Sequence, residues 1–69
     1  MNCYEAKRIV RTFDLLIAED SEFDLTRNKV YVAKSDGFGD ILSVVNDKGV
    51  LEQYSTEYFR FYNGETIGL

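Results

Sequence analysis

The sequence predicts a mainly β domain, a small antiparallel barrel, and three observations carry that expectation. From Leu25 onward, short runs rich in Val, Ile, Tyr and Phe alternate with gaps holding Gly, Asn and Asp, the spacing of strands separated by tight turns. Five Tyr and five Phe supply large apolar surface to a chain with no Trp and a single cysteine, Cys3. The 69 residues make one domain, 1–69. A domain of this size buries only about 60% of the surface of its unfolded chain, so its core must be built from few, large side chains.

The first segment reads two ways. Ala6, Ile9, Val10, Phe13, Leu16 and Ile17 share one helical face, and Asn2 and Glu5 have the spacing of a capping box. That predicts a helix over about 3–18 packed on a four-stranded antiparallel sheet, an α+β domain. A strand would instead place Ile9, Phe13, Leu15 and Ile17 on one face, with Arg11 interrupting it.

The rest is read in chain order. Asp14, Glu19, Asp20, Glu22 and Asp24 follow without a basic residue until Arg27, the composition of a solvated loop. Lys29 to Lys34 is the clearest strand, Ser35 to Gly39 a turn, and Asp40 to Val45 a second strand. Asn46-Asp47-Lys48-Gly49 makes a tight reversal with Gly available for a positive φ, which pairs Val50 to Tyr54 with the strand before it. Ser55 caps a single helical turn through Glu57, and Tyr58 to Tyr62 is extended again. The tail, Asn63 to Leu69, is expected to fray.

Leu25-Thr26-Arg27-Asn28-Lys29-Val30-Tyr31 resembles the Leu-Thr, Gly-Lys, Tyr approach to a strand in SH3-like small barrels of bacteriophages and bacteria, with Asn28 where Gly is usual. Val45-Asn46-Asp47-Lys48-Gly49 resembles their distal hairpin, and Tyr54 followed by Tyr58-Phe59 their closing turn and last strand. The resemblance covers Leu25 to Tyr62 and implies an SH3-like antiparallel barrel. In that barrel residues near Lys7 to Phe13 form the first strand and the acidic stretch becomes the long first loop. It implies a fold and carries no function. Peptide-binding SH3 domains line their groove with a Trp and a Pro, and this chain has neither, so recognition of Pro-rich ligands is not expected.

Searching for chemistry gives absences. No His is present, which removes Ser-His and Cys-His dyads and the commonest general base near neutral pH. Gly37-Phe38-Gly39 lacks a third Gly at position 42 for a dinucleotide fingerprint, and the Gly-Lys-Ser/Thr ending of a P-loop. Asp20, Glu22 and Asp24 alternate like calcium ligands, but Leu25 stands where an EF-hand needs Gly and Tyr31 where it needs Glu. Asp36 and Asp40 are read as turn residues. The expectation is a protein that is not an enzyme and needs no metal or cofactor.

What remains is contact. A net charge of -4 opposes general affinity for nucleic acid, which a basic patch of Lys7, Arg8, Arg11 and Arg27 would have to overcome. No apolar run has membrane-spanning length, and the lone cysteine suits a reducing compartment, so a cytoplasmic location is expected. A protein partner is expected, met through exposed aromatics at Phe38, Tyr54, Tyr58 and Tyr62 or through acids at Asp20, Glu22 and Asp24. The leading expectation is a phage or prophage product that binds a host protein. Two alternatives are a nucleic-acid-associated barrel or acidic nucleic-acid mimic, and a self-associating structural component.

Overall fold

The computed structural model describes residues 1–37 and 39–64, so the expectations for Phe38 and for the tail beyond Gly64 lie outside the described residues. The described residues form five strands in chain order: β1 (Leu15–Ala18), β2 (Val30–Val32), β3 (Ile41–Val45), β4 (Leu51–Ser55) and β5 (Phe59–Phe61). A single 3-10 turn, Thr56–Tyr58, joins the last two, and no α-helix occurs among the described residues. One sheet has the order β2-β1-β5 and the other pairs β3 with β4, all antiparallel. The two sheets do not close into one barrel among the described residues, although the Lys34 N–H donates to the Ser43 carbonyl at 2.7 Å between the β2 and β3 sides.

The N-terminal helix is corrected, and so is the first strand at Lys7 to Phe13. The capping box forms: the Asn2 N–H donates to Glu5 Oε1 at 3.0 Å and the Glu5 N–H to Asn2 Oδ1 at 2.8 Å. One turn follows, closed by the Ala6 N–H on the Asn2 carbonyl (3.0 Å), and then Lys7 takes φ 53 and turns the chain out of helix. The cause is tertiary. Leu15–Ala18 is the central strand between β2 and β5, and a helix through it would leave both neighbours unpaired. Residues 8–14 form an extended strap, held where the Gly37 N–H reaches the Val10 carbonyl (2.7 Å) and where Asp36 Oδ1 accepts from Thr12 N–H (2.7 Å) and Oγ1 (2.9 Å). A Cβ on Gly37 would stand 3.0 Å from that of Val10, so the close approach requires glycine.

Two bulges bracket the β1–β2 pairing. Phe13 and Asp14 together oppose Ala33, which accepts from the Phe13 N–H (2.8 Å) and donates to the Asp14 carbonyl (2.9 Å). At the other end Asn28 and Lys29 oppose Ala18, with bonds of 3.0 and 3.2 Å. Such bulges place their first residue in the left-handed region, normally as Gly. Asn28 has φ 66 and Phe13 φ 76. Asn tolerates this conformation, whereas Phe has no local hydrogen bond to offset it.

The core lies between the sheets. Phe59, fully buried, receives the edges of Tyr31 and Tyr54 with ring centroids 6.1 and 6.0 Å away. Leu16, Ala18, Leu42 and Val44 complete the centre, and Cys3, Val10 and Leu25 close its ends. Burial pushes the Cys3 thiol up to about 12, so at neutral pH it is a small apolar group. Asp47 in the β3–β4 hairpin ties the long loop to this frame. It accepts from Lys29 Nζ (2.6 Å), Thr26 Oγ1 (2.5 Å) and the Tyr31 hydroxyl (2.8 Å), and the Lys29 bond foremost lowers its carboxyl to about 2.

Candidate functional site

An open groove of about 430 Å³ lies between the loop that joins β1 to β2 and the β4–turn corner. Phe23 and Asp24 come from the loop, Ile41 from the start of β3, Glu52, Gln53, Tyr54 and Ser55 from β4, and Tyr58 from the 3-10 turn. Each contributor is placed by a local cause. In β4 the pleat turns Tyr54 inward, and Ser55 then accepts the Glu57 N–H at 3.4 Å, starting the turn that aims Tyr58 back along the loop.

Tyr54 organises the site from beneath. Its ring is 8% exposed, its hydroxyl donates to the Phe23 carbonyl at 2.6 Å, and it accepts from Asn46 Nδ2 at 3.3 Å. Asn46 is itself buried, and its Oδ1 accepts from the N–H groups of Lys48 (3.0 Å) and Val50 (3.1 Å). Gly49 at φ 76 completes that three-residue hairpin loop. The hairpin, the core tyrosine and the loop therefore form one hydrogen-bonded unit.

That unit holds Phe23 and Asp24 in successive left-handed conformations, φ 52 and 64. Phe23 is 61% exposed and its ring meets Tyr58 at 5.6 Å, tilted 45°. Tyr58 in turn sits edge-on to Tyr54 at 6.4 Å. The groove thus has an aromatic wall and floor. Asp24 and Glu52 give its rim a negative charge, of which Asp24 has Lys48 at 3.6 Å in an exposed pair worth little in water. Glu52 has no side-chain partner among the described residues. Aromatic faces beside carboxylates suit a cationic side chain.

Of the residues expected at a contact surface, the structure brings together Asp24, Tyr54 and Tyr58. Tyr54 was expected on the surface and is instead a core ring whose hydroxyl is used internally, because position 54 faces Leu42 across the ladder on the buried side. Tyr62 lies past β5, half-buried, with its N–H on the Leu15 carbonyl (2.9 Å), away from the groove lining. Asp20 and Glu22 are exposed on the same loop as Asp24 but do not line the groove. Phe23, Ile41 and Glu52 were missed by sequence reasoning. A signal for Phe23 was available: it is a lone aromatic inside the acidic run.

Among the described residues no group of His, Cys, Asp or Glu could hold a metal ion, and no helix is long and apolar enough to cross a membrane. Comparison with protein-family models, with curated proteins and with solved structures found no match to this chain.

Proposed function

We propose that this chain is a small, non-enzymatic protein-binding module of SH3-like build whose ligand surface is the Phe23–Tyr58 groove. The observation that carries the reading is Phe23 itself. A non-glycine residue in the left-handed region costs roughly 1–2 kcal/mol. Here the residue so held is an aromatic turned largely to solvent, so the conformation serves the surface and not the core. Aromatic anchors in a preformed recess are what interfaces use.

The rim carboxylates Asp24 and Glu52 favour a partner segment that carries Lys or Arg. The strand order, the 3-10 turn before β5 and the Leu25–Tyr31 motif support the SH3-like assignment. The resemblance to small barrels of phages and bacteria supports a phage or prophage protein acting on a host protein in the host cytoplasm. Affinity capture from bacterial lysate tests the reading: one specific protein is retained by the wild type and lost with both Phe23→Ala and Tyr58→Ala. Equal retention by both variants, each folded by circular dichroism, removes the groove from the binding surface.

A further inference from the structure

The strap of residues 8–14 carries the counterpart of the groove. Phe13 is 76% exposed and held at φ 76, and Ile9 and Leu15 to either side of it in the chain are 58% and 43% exposed. Cations accompany them. Lys7 has no ion-pair partner among the described residues, and Arg11 has only a 3.6 Å contact with Asp36, both side chains being more than half exposed. The third cation, Arg8, is already committed to Asp14 (3.4 Å) and to the Phe61 ring, 4.0 Å from its centroid. The strap is therefore an extended, apolar and basic segment on the same molecule as an aromatic, acidic groove.

We propose that the strap of one copy docks in the Phe23–Tyr58 groove of a second copy, Phe13 entering the recess while Lys7 and Arg11 face Asp24 and Glu52 and the neighbouring acids Asp20 and Glu22. This inference rests on the reading of the groove as a ligand surface. Three features support it. A cavity of about 150 Å³ takes a benzene ring, and the groove offers about 430 Å³. The charges are complementary in sign, with acids on the loop and Lys7, at the start of the strap, in no ion pair among the described residues. The strap is pinned at Val10 and Phe13 by backbone bonds of 2.7 and 2.8 Å and at Thr12, whose N–H donates to the Asp36 carboxylate at 2.7 Å, so docking it demands little further ordering.

Strap and groove are different surfaces, so the contact is head-to-tail and leaves one of each free on every pair. Sedimentation of the full chain at about 1 mM protein and roughly 50 mM salt tests this, where exposed charges are weakly screened. The wild type forms dimers and larger species that dissociate as salt rises. Phe13→Gly (strap lost) and Phe23→Ala (groove lost) each weaken self-association at least about tenfold, the loss of roughly 1.4 kcal/mol of contact. Mixed one to one, they give a heterodimer that does not grow, since only one productive contact remains. A wild type that stays monomeric overturns the proposal. If it does so while Phe23→Ala still abolishes capture of a host protein, the groove reading survives and this inference alone fails. A mixture that stays monomeric, with both variants folded, overturns it as well.

Discussion

Phe13 and Phe23 both sit at positive φ, 76° and 52°, and both leave their rings in solvent, yet the chain fixes them by different means. Phe13 is held by strand pairing alone, at a bulge opposite Ala33. Phe23 is held through a side chain: the Tyr54 hydroxyl takes its carbonyl, and its ring rests on Tyr58. The difference is one of dependence. A bulge persists as long as the two strands pair, whereas the loop conformation at Phe23 requires one buried hydroxyl and the hairpin amide beneath it. The groove is therefore coupled to the core, and the strap is coupled to the sheet.

The sharpest way to break that contrast is to remove Tyr54. Tyr54→Ala should destabilise by about 3–5 kcal/mol, the range for deleting a buried aromatic, out of roughly 3–10 kcal/mol available to a domain of this length. Tyr54→Phe is the more informative change. It keeps the ring against Phe59 but strands the Phe23 carbonyl and Asn46 Nδ2, at about 1–3 kcal/mol. Amide exchange should then accelerate around Phe23 and Asp24 and stay unchanged at Phe13 and Ala33. Uniform acceleration at both sites would mean the two regions are not separately held.

A smaller effect distinguishes the loop's second tether. Asp47 joins Thr26, Lys29 and Tyr31 to the hairpin, and its carboxyl is lowered to about 2 from an ordinary 3.8, so the stabilisation is fully present above about pH 4 and is lost as pH falls from there toward 2. Asp47→Asn should cost about 1 kcal/mol at neutral pH, discounted for the exposure of the Lys29 pair. Thermal melts of wild type and variant should converge only as the pH falls to about 2. A gap that persists there would assign the effect to shape and not to charge.

How much of this was legible follows from which forces were local. The hairpin at Asn46 to Gly49, the Ser55-capped turn and the β2 and β3 positions were readable because turn chemistry and alternation act over a few residues. The capping box at Asn2 and Glu5 was readable too, and it forms. Its extension to a helix was not ruled out locally, because the competitor is the pairing of Leu15–Ala18 with two strands far along the chain, Leu16 facing Tyr31 on one side and Phe61 on the other. Asn28 in place of Gly was a visible clue to a left-handed bulge. Phe13 and Phe23 gave no such clue, since nothing in a Phe marks positive φ. The groove was half legible: Asp24 and Tyr58 are there, but Tyr54 was assigned to the surface because its ladder partner could not be known.

The smallest predicted effect separates the two phenylalanines directly. Replacing either by Gly relieves left-handed strain of roughly 1–2 kcal/mol and costs about 0.5–1 kcal/mol of added chain entropy in the unfolded state. At position 13 no aromatic contact of the ring opposes the relief, so Phe13→Gly should stabilise by about 0.5 kcal/mol, or a few degrees in Tm. At position 23 the lost contact with Tyr58, worth about 0.5–1.5 kcal/mol, cancels or reverses the gain. Urea denaturation of the two variants should therefore place Phe13→Gly above the wild type and Phe23→Gly at or below it. If Phe13→Gly instead falls below by 1 kcal/mol or more, on the order of a buried contact, its ring has a packing role in the monomer and the strap is not a surface held for a partner.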